Sequence, residues 1–445
     1  MLENLLDFIR SPVRVFGSAA YSVPHSLSRG VSRRVNGDSK GESSTTRRDF
    51  AATAFLRFAY WVCAGWMWIF FPLFFVSTGF SLVESGVLVT AFILPRVLSN
   101  GPFGVLTDFK SPKRVALVGM VLTMTGFTLL SALSYSTNSS KASFETILLI
   151  ILLLGFATSI AETASTSLAF KRVSAARRGR DIGVIEFLKY LGIGIAVLAA
   201  GVVFSFVGYA TGFAFFAVCC AFVSIAWLLF VRDYRGAVAE RVYWRAFASR
   251  EILLLLAVMF LVSFHFGVEN STMSVYMKRA VGLNDAGIGL FFGVGITAYA
   301  VFNYLSGRRI DRASKHKSVF LLGLTLSAIG FACLGCTTNF ALALGARMVH
   351  ELGDALVILY ALYVLLRVGG AQRIGGLQGF YLTVVTLGSA AGSFSAGFIA
   401  SAIGGNAGLS ASFVIASLFT LAGGALLLFA NSGSLFHAAK NTSHN

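Results

Sequence analysis

Arg57, Arg96, Glu162, Glu186, Lys189, His265, Glu269, Arg347, His350, Glu351 and Asp354 all stand inside long apolar stretches of the chain. In hydrocarbon a charge costs at least ~2.5–3.5 kcal/mol even on a lenient insertion scale, so each must face a partner or a watery cavity. Their types set the chemistry. Acids and histidines in a closed, partly dry cavity can load and release a proton as their surroundings alternate. Arginines can hold a carboxylate or a phosphate. Arg347–Glu351, His350–Asp354 and His265–Glu269 are spaced i, i+4, which puts each pair on one helix face. For such pairs the plain alternative is mutual neutralisation that only lets a polar helix insert. Glu162 has no basic partner on its own helix, which favours a functional role.

The elements that position these residues are membrane helices. The chain has 445 residues, 56% of them hydrophobic and 12% charged, against roughly a quarter charged in soluble domains. Its mean hydropathy is +0.78. A net charge of +17 would suggest nucleic acid in a soluble protein, but the Lys and Arg crowd into alternate loops between apolar blocks, so no nucleic-acid partner is expected. A spanning helix needs about 20 mostly apolar residues. Twelve are predicted: 52–77, 82–107, 115–136, 145–169, 182–207, 211–231, 251–277, 285–307, 318–337, 341–366, 376–401 and 408–430. They are numbered here as spans 1 to 12. The expected organisation is a leader over 1–49, six helices over 50–231, a linker over 232–250, six helices over 251–430 and a tail over 431–445. The leader carries no apolar core of signal-peptide length. Its residues 2–16 have the spacing of an amphipathic surface helix, with a disordered leader as the alternative.

Lys and Arg fall overwhelmingly in the termini and in the loops 108–114, 171–181, 232–250, 308–317 and 367–375, whereas the opposite loops hold only Lys141, Lys278 and Arg279. The positive-inside rule then places both termini in the cytoplasm of a multi-pass protein of the plasma or inner membrane. At 1.5 Å per residue, Glu162 lies ~14 Å from Lys171 and Arg96 ~18 Å from Asp108, both near the middle of a ~30 Å core. Asp354 and Glu351 are also mid-helix. Arg57, Glu186 and Lys189 count as shallower, suiting a cytoplasmic gate or snorkelling. Spans 3, 6, 9 and 12 carry no Asp, Glu, Lys, Arg or His, whereas spans 1, 4, 7 and 10 all carry some.

A repeat links the two halves. Asn100, Gly104, Asp108 and Arg114 recur as Asn303, Gly307, Asp311 and Lys317, at an offset of 203. Gly183, Gly192, Ala200 and Gly201 of span 5 recur as Gly379, Gly388, Ala396 and Gly397 of span 11, at an offset of 196. Glycine lets helices approach closely. An Asp at a helix end can accept hydrogen bonds from Lys, Arg or a helix N-terminus. These eight residues of the first repeat are therefore candidate gating residues, with anchoring of a tight turn as the plainer alternative.

The stretch Gly104-Val-Leu-Thr-Asp108-Phe-Lys-Ser-Pro-Lys-Arg114 resembles the loop signature of the major facilitator superfamily, between spans 2 and 3 where that family has it. Phe109, Ser111 and Pro112 depart from the pattern. A second copy, Gly307 to Lys317, lies between spans 8 and 9. The resemblance covers 50–430 and implies an all-α membrane protein of twelve helices in two pseudo-symmetric six-helix bundles. It also implies that spans 1, 4, 7 and 10 line a central cavity while 3, 6, 9 and 12 lie outermost. Span 5 further resembles, in degraded form and without its Pro, a glycine-rich motif of the family's drug–proton antiporters; close helix crossing is the plainer account of its small residues.

The resulting expectation is a secondary transporter, not an enzyme, moving a small molecule by alternating access with proton coupling, as a monomer in a lipid bilayer. Its substrate or proton site would draw on Arg96, Glu162, His265, Glu269, Arg347, His350, Glu351 and Asp354. Export of an organic compound is preferred, on the span 5 motif and the aromatic first helix (Trp61, Trp66, Trp68). Uptake of an anionic metabolite on Arg57, Arg96 and Arg347 is the alternative, and a non-transporting sensor or scaffold on the same fold is the rival from another class. No cofactor or metal is expected. Cys333 and Cys336 form a CxxC without the partners of a zinc site, and neither a Walker loop, HExxH nor GxSxG is present.

Overall fold

A chain crossing a bilayer must satisfy its backbone hydrogen bonds within itself, and an apolar stretch does so as a helix. The computed structural model describes residues 39–136, 143–174, 177–234, 250–310, 316–369 and 374–429. Two compact units divide the chain, Met1–Thr46 and Arg47–Asn445. In the first, residues 39–46 are described and are helical; all that follows concerns the second. Asp311, the stretch 2–16, most of the linker 232–250 and the tail 431–445 lie outside the described residues.

Among the described residues no strand occurs, and eleven helices are long and apolar enough to cross a membrane. Ten match predicted spans one to one: Arg47–Ser77, Val83–Phe109, Pro112–Ser136 and Phe144–Phe170 are spans 1 to 4, and Ile252–Arg279, Asp285–Ile310, His316–Gly335, Phe340–Arg367, Ile374–Ile403 and Gly405–Leu428 are spans 7 to 12. The eleventh, Arg178–Phe230, has 53 residues. As one helix it would run about 80 Å, far beyond a ~30 Å core. Gly208 breaks it with φ 73° and ψ 175°, a left-handed turn open to glycine and costly for other residues. It therefore supplies spans 5 and 6, and the total is twelve.

Packing follows the small residues, as it must where lipid tails are as apolar as leucine. A Cβ on Gly104 would overlap the Gly375 carbonyl and stand 2.8 Å from Gly379 Cα; one on Gly307 would stand 2.8 Å from both the Gly179 carbonyl and Gly183 Cα. So span 2 crosses span 11 at Gly104·Gly379, and span 8 crosses span 5 at Gly307·Gly183. These are the members of the two sequence repeats, exchanged between the halves as a pseudo-two-fold axis requires. Toward the other end, Gly86 meets Gly397 and Gly289 meets Gly201, again 203 and 196 residues apart. The equivalence of Gly86 and Gly289 is missed in the sequence reading, although the offset of 203 carries it.

The cores inside each half are aromatic and aliphatic. Trp66 is fully buried at the break in span 1, stacks on Phe213 and meets Phe71 and Phe204 edge-on, with its indole N–H on the Cys63 carbonyl. Outer faces are apolar and exposed, with Phe206, Phe215, Phe222 and Leu229 of spans 5 and 6 at half or more, as lipid-facing surface is.

Candidate functional site

A cavity of about 230 Å³ opens among spans 1, 2, 4, 5, 7, 8, 10 and 11, and none of its lining comes from spans 3, 6, 9 or 12. The spans without ionisable residues are the ones that stay out of it. Arg57, Arg96, Glu162, Glu186, Lys189, Glu269, Arg347, Glu351 and Asp354 all line it. His265 and His350 do not; both are fully buried behind Asp354.

The wall from the first six spans is built around Glu162. One of its carboxylate oxygens pairs with Arg96 of span 2, the other with Lys189 of span 5 at 2.6 Å. Arg96 also donates to Thr158 Oγ1 at 2.9 Å, and its guanidinium lies 4.9 Å from the centre of the Trp68 ring. Lys189 sits 5.3 Å from the Trp61 ring. Arg57 donates to Thr166 Oγ1 at 2.9 Å and lies 3.7 Å from Glu186. The sequence expectation sets Arg57, Glu186 and Lys189 apart as a shallow group. All three line the same cavity as the other charges, and the long lysine stem of Lys189 reaches Glu162.

The wall from the last six spans is acidic. Arg347 Nη2 lies 2.5 Å from carboxylate oxygens of both Glu269 and Glu351. Behind it, Asp354 accepts from Ser327 Oγ at 2.6 Å and lies 3.1 Å from His265 Nε2 and 3.4 Å from His350 Nε2. The i, i+4 spacings of Arg347–Glu351 and His350–Asp354 thus become contacts. That of His265–Glu269 does not: His265 turns to Asp354 and Glu269 to Arg347. A π-turn over Glu269–Met273 follows inside span 7, and its extra residue per turn shifts the faces of the residues after it. The Gly267 carbonyl beside this turn is satisfied by Ser271 Oγ at 2.9 Å and Ser393 Oγ at 2.8 Å.

The tautomer of His350 follows from its partners. Nδ1 lies 3.0 Å from the Ser327 carbonyl, which can only accept, so Nδ1 carries a hydrogen. Nε2 then faces two carboxylates, Asp354 at 3.4 Å and Glu269 at 3.7 Å. His265, His350 and Asp354 bring three ligand-type atoms within 4.8 Å of one another, and the direct His265–Asp354 contact makes this a hydrogen-bonded cluster.

At the Asp108 end the two halves are latched. Asp108 Oδ2 accepts the Gly376 N–H at 2.8 Å, capping the start of span 11, while Oδ1 lies 2.9 Å from Lys171 Nζ. Lys171, missed as a site residue, also donates to the Thr107 carbonyl at 2.5 Å. Arg114 is exposed, as a solvated loop charge is, and Lys317 is half-buried. Asn100 bridges the halves: its amide donates to Thr386 of span 11 at 3.1 Å while its oxygen accepts from Ser159 and Thr163 of span 4. Its counterpart Asn303 donates to the Tyr299 carbonyl of its own helix.

A sequence model of the Major Facilitator Superfamily matches residues 50–277 and again 255–440. The chain belongs to the major facilitator superfamily. It is a multi-pass membrane protein of a transporter family, and the two matched segments overlap within span 7. Among solved structures it is similar to the human organic anion transporter MFSD10 (TETRAN), at 16% identity and a TM-score of 0.67, covering 86% of this chain and 99% of that one. It is equally similar in fold to the nucleoside transporter NupG, at 12% identity and a TM-score of 0.67, again over 86% and 99%. No curated protein sequence matches it. Within this superfamily chain the Asp108 latch makes a specific prediction. Asp108→Asn removes the ion pair with Lys171 and weakens the cap on span 11, at a cost of about 1–2 kcal/mol. Amide hydrogen exchange across residues 374–380 is expected to quicken. Unchanged exchange there would mean that the carboxylate does not hold the helix end.

Proposed function

We propose that this superfamily member moves a small organic solute by alternating access, coupled to protons, with both termini in the cytoplasm. One observation carries the reading: ionisable side chains from both halves converge on one central cavity that the apolar outer spans avoid. A sensor or scaffold on the same fold has no need of such a chamber. The aromatic faces of Trp61, Trp68, Tyr190 and Tyr299 along the lining favour an organic solute. Uptake of a simple anion is the weaker reading, since Arg57, Arg96 and Arg347 each already have a carboxylate partner.

For coupling, the acidic wall is the better candidate than Glu162, which is held by two cations. Glu269 and Glu351 share one arginine, and His350 links Glu269 to Asp354. A proton resident on this set relieves like-charge crowding in one state and is released when the halves rock. In proteoliposomes, accumulation of a transported solute is expected to follow an imposed pH gradient, and Asp354→Asn is expected to keep counterflow while losing that response. Transport indifferent to the gradient, and unchanged in Asp354→Asn and Glu162→Gln, would remove the coupling. The span 5 glycines are accounted for by helix crossings at both copies, so they add nothing to the case for export. Export is tested by growth: deletion should sensitise cells to a panel of toxic organic compounds, whereas resistance to toxic analogues would make the protein an importer.

A further inference from the structure

The two walls of the cavity carry opposite excess charge. From the first six spans the lining holds three cations, Arg57, Arg96 and Lys189, against two carboxylates, Glu162 and Glu186. From the last six it holds one cation, Arg347, against the carboxylates Glu269, Glu351 and Asp354. The histidines behind Asp354 can neutralise that residue, but Glu269 and Glu351 still compete for a single guanidinium nitrogen.

A second observation points the same way. Among the described residues, the buried polar atoms without a hydrogen-bond partner include several on this lining. On the basic wall they are Arg57 Nε and Trp61 Nε1, which can only donate. On the acidic wall they include Glu351 Oε1 and Gln378 Oε1, both acceptors, and the Tyr381 hydroxyl, which can act either way; Arg347 Nε is the donor among them. Buried polar groups are normally paired, so the basic wall asks for acceptors and the two unpartnered acceptors of the acidic wall ask for donors.

We infer that the solute is a zwitterion with a primary or secondary ammonium at one end, a carboxylate at the other and an apolar body between them: a molecule of amino-acid type. Its carboxylate takes the surplus donors around Arg57, Trp61 and Lys189. Its ammonium takes the surplus carboxylate of the Glu269–Glu351 pair, with Gln378 beside it. A plain anion leaves the acidic wall unanswered, and a plain cation leaves the basic wall unanswered, each with a buried charge surplus that costs affinity. A cavity of about 230 Å³ takes a solute on the order of ten non-hydrogen atoms, at roughly 30 Å³ of liquid volume per water. Hydrogen-bond acceptors on the acidic wall require N–H donors, so a fully methylated betaine does not substitute.

This inference rests on the transport reading of the same cavity, and the test separates the two. Purified protein is titrated, by thermal shift, with the apolar and aromatic amino acids and, for each, its decarboxylated amine, its deaminated acid and its trimethylated betaine. At least one amino acid is expected to bind roughly 10–100-fold more tightly than all three of its analogues, the worth of one charge-assisted hydrogen bond. Glu351→Gln is expected to shift preference toward the acid analogue and Lys189→Met toward the amine, a reciprocal change that misfolding cannot produce. If no amino acid stabilises the protein, or if an amine, acid or betaine binds as well as its parent, or if the variants shift in the same direction, the zwitterion assignment is overturned. Counterflow in proteoliposomes then judges the other reading. An amino acid that binds and is not exchanged upholds the assignment and sinks transport; an amine or acid that is exchanged does the reverse.

Discussion

Replacing Glu162 with Gln is expected to destabilise the protein by about 3–5 kcal/mol, the cost of leaving buried charge without its partner. Glu162 is 4% exposed, and its two oxygens are divided between Arg96 and Lys189. With Gln in its place, two cations face each other across a low-dielectric wall. Arg96 keeps Thr158 and the Trp68 ring, while Lys189 keeps the faces of the Trp61 and Tyr190 rings. Adding Lys189→Met removes the less supported cation, so the double variant is expected to recover part of the loss. The measurement is thermal unfolding of the wild type, both single variants and the double. A coupling below about 0.5 kcal/mol, the scatter of independent sites, would mean that the two side chains do not hold each other.

That triad also marks the limit of what the sequence could tell. Hydropathy and repeat offsets are one-dimensional signals, and both map onto the structure: the spans, the break at Gly208, and the exchange of Gly104 and Gly183 between halves. The sorting of charge away from spans 3, 6, 9 and 12 was legible because a lipid-facing helix cannot afford an ionisable group. Partner identity was not. Glu162 lacks a basic neighbour on its own helix, yet it finds one 66 residues away and another 27 residues away. Such contacts depend on how spans 2, 4 and 5 are rotated, which spacing along one helix does not encode. His265 and Glu269 are a second case: their i, i+4 spacing puts them on one helix, yet His265 pairs with Asp354 and Glu269 with Arg347. Lys171 was read as topology charge alone, because its partner Asp108 lies at the far side of a loop and two helices.

Gly104→Val is expected to cut counterflow by more than tenfold, and Gly307→Val likewise, whereas Gly86→Ala is expected to leave it within about twofold. The reason is the unequal closeness of the two points at which span 2 meets span 11. At Gly104 a side chain would overlap the Gly375 carbonyl, and at Gly307 it would stand 2.8 Å from Gly179 and Gly183 backbone atoms; backbone cannot swing aside as a side-chain tip can. Overpacking of this kind costs typically about 1–3 kcal/mol, and a bias of that size moves a two-state equilibrium roughly 5- to 150-fold. It falls entirely on the state in which the Asp108 end is shut. Alternating access needs that state populated in every cycle, so the loss enters the rate directly. At Gly86 the nearest atom to a new Cβ would be Gly397 Cα at 3.8 Å, ordinary contact that a methyl group fills without displacing anything. Normal exchange by Gly104→Val would show that this end need not close as tightly as the structure has it, and the rocking mechanism would lose its hinge contact.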